Sequence, residues 1–367
     1  MPDPRITRLA DVLVNYSVAI QPGDWVLVRG GIPALPLLTE VVRFVTRAGG
    51  HATVQLSHDA FTEAFLKEAS DAQLEWVSPV ERLMLNEVDA LISVRAVENT
   101  RALSGIDPAK QRAAQIARRE LMETYMRRSA EGSLRWVGTQ FPCEAYAQEA
   151  DMSLSEYEDF VYGATFCDKD DPVAEWNRVH EEQQRLVDWL KGKREVVVKG
   201  PNADLRLSIE GRTFINSDGH HNMPSGEIFT GPVEDSVNGW VRFTYPAISG
   251  GREVEGVELR FENGKVVEAH ARKNEEYLLS QLDSDPGARY LGEFAVGTNY
   301  GIKRFTKSIL FDEKIGGSIH MAVGAGYPET GSKNKSSIHW DFICDMRDDS
   351  EIWVDGELFY KNGQFQV

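Results

Sequence analysis

The feature that most constrains the fold of this chain is a change of sequence pattern near Arg194. Before this point, stretches with helical spacing of apolar residues alternate with short strand-like runs such as WVLVRG and DALISVRA. Helices and strands that alternate through short loops are typical of a parallel sheet covered by helices on both faces. The sequence therefore predicts an α/β domain with a mostly parallel sheet over residues 1–150.

Beyond Arg194 the sequence consists mainly of strand-like segments that follow one another closely. Tight turns such as ENGK and VDGE join some of them, and one helical segment, EEYLLSQLDSDPGA, interrupts the series. Short turns of this kind connect antiparallel strands. We therefore expect an α+β domain with a largely antiparallel sheet over residues 194–367, and a helical bridge over residues 151–193 before it.

The charge of the chain argues against two classes of partner. Its 367 residues include 57 acidic and 40 basic side chains, which gives a net charge of −17 at pH 7. A surface of this sign repels nucleic acid and anionic membranes, so we expect neither as a partner. The sequence also lacks an apolar stretch of about 18 residues, the length of a membrane-spanning helix, and a glycine-rich nucleotide-binding loop.

The cysteines bear on the cellular compartment. Cys143, Cys167 and Cys344 are odd in number, widely spaced and not arranged in a CxxC pair. This pattern argues against a disulfide framework and against a thiolate zinc site. Because the N-terminal segment also lacks the pattern of a secretion signal, we expect a cytoplasmic protein.

The segment SSIHWDFICDM near the C-terminus contains the first candidates for a chemical role. His339 and Asp341 are two positions apart, so in a strand both side chains project from the same face. An imidazole and a carboxylate on an otherwise apolar strand are costly to bury unless they bind something, and a divalent metal is a common partner. Taken alone, however, this pair is explained more simply by an ion pair between neighbours.

Further candidates in the second half of the chain are Glu227, Glu293, Glu313 and His320. Each has an ordinary explanation by itself, such as a surface carboxylate, a partner for Lys314 or a satisfied core histidine. Together they concentrate carboxylates in an apolar region, where charges of one sign repel unless cations lie between them. Carboxylates outnumber imidazoles and no cysteine takes part, which favours a hydrolytic site with two divalent metal ions over a structural zinc site. These ligands leave open zinc, cobalt, manganese and magnesium.

Two residues are candidates for catalysis. Glu293 stands between Gly292 and an apolar strand, a position that suits either a general base or a ligand shared by two ions. Tyr327 follows a Gly-Ala-Gly loop, and its phenol is suited either to stabilising a tetrahedral oxyanion or to packing on the surface. His220 and His221 are adjacent and face opposite sides of an extended chain, so we expect loop residues near the site at most.

The segments DGHHNMPSGEIFTGP, ARYLGEFAVGTN, ILFDEKIGGSIHMAVGAGYPETG and IHWDFICDM, in this order, resemble the M29 family of metallo-aminopeptidases. The resemblance extends over essentially the whole chain. It implies catalytic roles for Glu293, as base or bridging ligand, and for Tyr327, with Asp341 favoured as the bridge between two ions. It implies that two divalent metal ions per subunit are held by Glu227, Glu293, Glu313, His320, His339 and Asp341.

One feature departs from the family pattern. In some members the corresponding glutamate stands closer to its histidine, whereas Glu313 precedes His320 by seven positions here. Among the proposed ligands, Glu313 is therefore the one whose role depends most on how the segment between Glu313 and His320 folds.

The resemblance implies an aminopeptidase that removes N-terminal residues from peptides through a water or hydroxide bridging the two ions. Peptides with a free N-terminus are then the expected partners, and the resemblance also implies a homodimer. Two alternatives remain open. One is a dinuclear hydrolase of another bond, such as a phosphoester or a cyclic amide, and the other is a non-catalytic binding protein stabilised by metal.

Overall fold

The structure is a computed structural model that describes residues 3–249 and 251–367. None of the helices in this described part of the chain combines the length and the apolarity that crossing a bilayer requires. The chain divides into two units. The first comprises Met1–Ala174 and Gly219–Pro224, and the second comprises Glu175–Asp218 and Ser225–Val367.

Several helices begin at capping residues that are visible in the sequence. Asp3 and Asp107 each accept a hydrogen bond from the backbone N–H two residues later, at 2.9 and 2.8 Å, and each precedes a proline in the first turn. Ser153 and Glu156 form a capping box. Numbered in chain order, the α-helices are α1 Pro4–Asp11, α2 Leu35–Arg47, α3 Asp59–Glu68, α4 Asp71–Leu74, α5 Pro79–Glu87, α6 Pro108–Ala117, α7 Arg119–Ala130, α8 Glu144–Glu149, α9 Leu154–Ala164, α10 Pro172–Leu190, α11 Glu275–Leu282 and α12 Ile309–Asp312.

Both units contain strands. Numbered in chain order, they are β1 Trp25–Gly31, β2 His51–Ser57, β3 Ala90–Arg95, β4 Arg135–Gln140, β5 Glu195–Gly200, β6 Ala203–Ser208, β7 Ile215–Ser217, β8 Asn222–Met223, β9 Glu227–Thr230, β10 Asn238–Arg242, β11 Ala247–Ser249, β12 Arg252–Val254, β13 Glu258–Glu262, β14 Lys265–His270, β15 Leu291–Gly297, β16 Ser318–Gly324, β17 His339–Asp345, β18 Glu351–Val354, β19 Glu357–Lys361 and β20 Gln364–Phe365.

The first unit contains a five-stranded sheet in the order β2-β1-β3-β4-β8, in which all neighbouring strands are parallel. Val26, Leu27 and Val28 of β1 are fully buried, as expected for a strand that is covered on both faces. Helix α2 contacts β1 and β2. The prediction of a mostly parallel sheet in the N-terminal part is confirmed.

Neighbouring strands in the sheets of the second unit are antiparallel. They form an eight-stranded sheet in the order β14-β13-β10-β6-β5-β18-β19-β20, a five-stranded sheet in the order β17-β16-β15-β9-β7 and a two-stranded ribbon of β11 and β12. The turns at Asn263–Gly264 and Asp355–Gly356 have positive φ at both residues, as hairpin turns of type I′ require. The prediction of a largely antiparallel C-terminal part is confirmed.

One face of the five-stranded antiparallel sheet, β17-β16-β15-β9-β7, is apolar and packs into the core of the second unit. Its side chains belong to the same buried cluster as Leu205 and Val241 of the eight-stranded sheet. Successive side chains of a strand point to opposite faces of the sheet, so the residues between these apolar positions point to the other face. The apolar face is formed by Ile228, Phe294, Val296, Ile319, Met321, Val323, Trp340 and Phe342.

Candidate metal centre

The opposite face of the five-stranded antiparallel sheet in the second unit carries a row of ionisable side chains. Cross-strand pairing places Glu293 of β15 and Asp341 of β17 on either side of Ala322 in β16. His320 and His339 lie two positions from Ala322 and Asp341, so their side chains project from this same face. The alternation that the sequence indicated for the histidine–aspartate pair therefore extends across three strands.

Two further glutamates reach this face. Glu227 is the first residue of β9, and its neighbour Ile228 pairs with Val296 in β15. Its Oε2 lies 3.4 Å from Nε2 of His320. Glu313 directly follows α12 and so reaches the cluster from outside the sheet. The structure thus brings the six predicted metal ligands together.

The ligand atoms form two groups that share Asp341. Atoms of Glu293, His339 and Asp341 lie within 4.8 Å of one another, and so do atoms of Glu313, His320 and Asp341. Within the first group, Nε2 of His339 is 3.3 Å from Glu293 Oε2 and 3.6 Å from Asp341 Oδ1. Each group has the ligand chemistry of a divalent cation site, with carboxylate oxygen and imidazole nitrogen.

The orientation of His339 suits a ligand. Its Nδ1 lies 2.8 Å from the carbonyl oxygen of Ala325. A carbonyl can only accept a hydrogen bond, so Nδ1 carries the proton and Nε2 is directed at the carboxylates. A Cβ at Gly292 would lie 2.1 Å from the same oxygen, so only glycine permits this close approach directly before Glu293.

Three buried polar atoms of the cluster have no hydrogen-bond partner within the described part of the chain. They are Oε2 of Glu227, Nδ1 of His320 and Oδ1 of Asp341. An unpaired buried oxygen or nitrogen is costly, and native structures rarely leave one without a reason. Since two of these atoms are carboxylate oxygens, the residues fit a cation that binds between them.

Electrostatics show how strongly the cluster attracts positive charge. Burial raises the pKa of Glu293, but the nearby imidazoles of His320 and His339 outweigh burial and lower it to about 2. Burial lowers the pKa of both histidines, while their contacts with Glu293 and other carboxylates raise the pKa to about 10 for His320 and about 11 for His339. Divalent ions would displace these protons, because imidazole binds metal in its neutral form.

A buried ammonium also belongs to the cluster. The side chain of Lys314 is completely buried, contacts Oε1 of Glu313 and lies 3.6 Å from Oε1 of Glu227. Burial lowers the pKa of Lys314, but the charges of Glu227 and Glu313 outweigh burial and raise it above its ordinary value. The sequence indicated Lys314 only as a loop partner for Glu313. Its place in the interior depends on the fold around Glu227 and carries no local signal.

Asp312 is a buried acidic residue outside the predicted set of site residues. It accepts hydrogen bonds from the backbone N–H and the hydroxyl of Thr306 at 2.8 and 2.9 Å. Burial raises the pKa of Asp312 to about 8, although these hydrogen bonds act in the opposite direction. The contacts fix the end of α12 and therefore the position of Glu313. A second carboxylate in the apolar run ILFDE was the signal available in the sequence.

Tyr327 lies beside the first ligand group. The centroid of its ring is 5.1 Å from that of His339 and 5.4 Å from that of Phe229, and 36% of the residue remains exposed. Burial of the phenol, followed by the charges of Glu293 and Asp341, raises the pKa of Tyr327. The hydroxyl therefore keeps its proton at neutral pH and can donate a hydrogen bond.

Two acidic residues hold the loop that carries Tyr327. Glu234 accepts a hydrogen bond from the backbone N–H of Lys333 at 2.6 Å. Asp285 accepts hydrogen bonds from the backbone N–H and the hydroxyl of Ser337 at 2.7 and 2.6 Å. Neither residue was predicted from the sequence, because both lie far from the loop along the chain and match no motif.

His220 and His221 do not belong to either ligand group. Both lie in the first unit, which contains Gly219–Pro224. Their rings contact those of Tyr16 and Trp136, with centroid distances of 4.6 and 4.8 Å. In the first unit the two histidines thus pack against aromatic rings.

A family model agrees with the resemblance noted in the sequence. The model of the thermophilic metalloproteases, M29, matches residues 3–365. The chain belongs to the M29 family. This match confirms the predicted family and, with it, a metal-dependent hydrolase that acts on peptide bonds.

Curated relatives of this M29 protein match it over nearly their whole length. Aminopeptidase T of Thermus thermophilus is 27% identical over 98% of this chain and 95% of its own. Aminopeptidase 2 of Geobacillus stearothermophilus is 26% identical over 94% of this chain and 92% of its own. The solved structure of wild-type AmpT from Thermus thermophilus has a TM-score of 0.87 at 24% identity and covers 99% of both chains, which shows a common fold.

Proposed function

We propose that this M29 enzyme is an aminopeptidase that uses two divalent metal ions. The observation that carries the proposal is the pair of ligand groups that share Asp341. A shared carboxylate suits a bridge between ions about 3.5–4 Å apart. We call Glu293, His339 and Asp341 position one, and Glu313, His320 and Asp341 position two. Glu227 lies beside His320 and is the further ligand proposed for position two.

Glu293 is suited to act on the attacking water. When bound, the two ions would lower the pKa of a water molecule and polarise the scissile carbonyl. The Glu293 carboxylate lies 3.3 Å from His339 of position one and 3.6 Å from His320 of position two. In the protein without metal its pKa is lowered to about 2, so the carboxylate is ionised, which is the form that a base or a bridging ligand requires.

Tyr327→Phe is expected to lower kcat about a hundredfold while the metal content stays unchanged, because one hydrogen bond to an oxyanion contributes about 3 kcal/mol. Steady-state kinetics and elemental analysis measure the two quantities. Tyr300→Phe is the matched control, since the hydroxyl of Tyr300 donates a hydrogen bond to the carbonyl oxygen of Gly363 at 2.7 Å. An unchanged kcat in Tyr327→Phe would exclude the phenol from the reaction.

The names of the relatives support a substrate with a free α-amine. The curated relatives are named aminopeptidases, enzymes that act at a free N-terminus. The carboxylates of Glu227, Glu293, Glu313 and Asp341 supply four negative charges, which two divalent ions would offset.

A panel of chromogenic substrates tests the reaction. We expect hydrolysis of aminoacyl-p-nitroanilides and none of their N-acetylated forms, which lack the α-amine but keep the same scissile bond. Equal rates on both forms would contradict an aminopeptidase. Turnover of p-nitrophenyl phosphate without turnover of the anilides would favour the phosphoester alternative.

Chelation by EDTA is expected to abolish hydrolysis and to leave the protein folded. The core of the second unit packs on the apolar face of the five-stranded sheet, opposite the ligands, and therefore does not depend on metal. Added Co²⁺ or Zn²⁺ should restore the activity. Circular dichroism and anilide turnover, measured on the same samples, check this result. Loss of structure on chelation would favour the non-catalytic, metal-stabilised alternative.

Two further predictions accompany the proposal. The enzyme is expected to act in the cytoplasm on peptides with a free N-terminus, and to form a homodimer. Light scattering after size-exclusion chromatography would then give twice the chain mass of 41.1 kDa. A particle of the single-chain mass would contradict the dimer.

A further inference from the structure

We infer that Lys314 makes the two metal positions unequal, so that position one binds its ion tightly and position two binds its ion weakly. The inference rests on the two-ion site proposed above. It assigns a role in metal affinity to a residue that is not itself a metal ligand.

The contacts of Lys314 are concentrated on one side of the cluster. Its ammonium touches Oε1 of Glu313 and lies 3.6 Å from Oε1 of Glu227. Glu313 is a ligand of position two, and Glu227 lies 3.4 Å from His320 of the same position. The ammonium therefore binds Oε1 of Glu313, a ligand of position two, and lies beside Glu227, whose other oxygen faces His320.

An ion entering position two must compete with this ammonium. The side chain of Lys314 is completely buried, so it cannot exchange Glu313 for water without leaving the interior. If it stays, two cations share the same carboxylates, and their repulsion is strong because little water is present to screen it. Position one is less affected, because the ion pairs of Lys314 in the described part of the chain are with Glu227 and Glu313, and Glu293 and His339 pair with each other.

The backbone of Lys314 is held in place. Its N–H donates to the carbonyl oxygen of Phe311 at 3.0 Å, and its carbonyl oxygen accepts from the N–H of Asn299 at 3.1 Å. A Cβ on Gly297 would come within 3.0 Å of the carbonyl carbon of Lys314, so the neighbouring strand packs directly against it. Because the side chain starts from a fixed point, the ammonium remains directed at the two glutamates.

Calorimetric titration of the metal-free protein with Co²⁺ tests the inference. The wild-type protein is expected to bind two ions in two steps, the second at least about tenfold weaker. Lys314→Met keeps a similar side-chain length without the charge, and should tighten the second step at least about tenfold with little change in the first. Lys314→Arg keeps the charge and should retain a weak second step.

Lys361→Met is the matched control. Lys361 pairs with Glu351 at 2.9 Å and is half exposed, so its replacement should leave both steps unchanged. Two equal steps in the wild-type protein would overturn the inference. So would a second step that is unchanged in Lys314→Met. Either result is compatible with anilide hydrolysis by the wild-type protein. Two unequal metal-binding steps without any anilide hydrolysis would overturn the proposed function and leave the inference standing.

Loss of the ammonium removes the buried cation that pairs with Glu313 and Glu227, so folding of Lys314→Met is checked with and without metal. If folding requires metal, the protein is purified with Co²⁺, and release of the ions to a coloured chelator is followed over time. We expect one fast and one slow phase for the wild-type protein, and two slow phases for the variant. A fast phase of the same rate in the variant would overturn the inference.

Discussion

Asp341→Asn is expected to lower the affinity for both metal ions at once and to lower kcat/KM at least about a thousandfold. Asp341 belongs to both ligand groups, and the amide has the same shape but no negative charge. Replacing a residue that merely supports a metal ligand already costs about 10- to 100-fold in metal affinity, so loss of a shared ligand should cost more. Calorimetry with Co²⁺ and anilide kinetics measure the two effects.

Asp345→Asn is the control for this experiment. Asp345 lies on the same strand, β17, and its carboxylate is bound by Arg347. Its replacement should leave both metal affinities at the wild-type values, because it belongs to neither ligand group. Metal binding that is equal in Asp341→Asn and the wild-type protein would contradict the shared-ligand arrangement.

Glu293→Gln is expected to lower kcat about a thousandfold, within the range of about 10²–10⁴ for loss of a general base. The variant also separates the two roles that remain open for this residue. If Glu293 acts as the base, metal content stays at the wild-type level while kcat falls. If it acts as a ligand, the ion at position one is lost as well.

Kinetics and metal analysis on the same preparation of Glu293→Gln distinguish these outcomes. Glu329→Gln serves as the control, since Glu329 is exposed in the loop beside Tyr327 and should not affect kcat. Wild-type kcat with a full metal content in Glu293→Gln would exclude both roles.

Much of the fold could be predicted because its signals are local. The apolar run of β1 and the turns at Asn263–Gly264 and Asp355–Gly356 indicate their structures within a few residues. Other features carry no such signal. The segment DPAKQRAAQIARRELMETYMRRSAEG has the pattern of one long basic helix, but the structure splits it at Arg118 into α6 and α7. The two-residue strand β8 joins β4 through a pairing that no local pattern reveals.

The candidate site likewise combines features that the local sequence indicates with features that depend on tertiary contacts. His339 and Asp341 share a face because a strand repeats every two residues, and this follows from their spacing alone. Glu293 joins them because β15 and β17 pair with β16 in one particular register, which local sequence does not specify. Glu313 is the most dependent on tertiary contacts, since it reaches the cluster from the end of α12.

The residues alone were sufficient to indicate the family, the candidate ligands and the order of a parallel and then an antiparallel part, because ligand chemistry, strand periodicity and turn preferences are properties of short segments. The folded protein was needed to show that the ligand groups share Asp341, and that the ammonium of Lys314 lies between Glu227 and Glu313. These relationships join residues far apart in the chain. They arise only when strands pair and a charged side chain finds its partners in the interior.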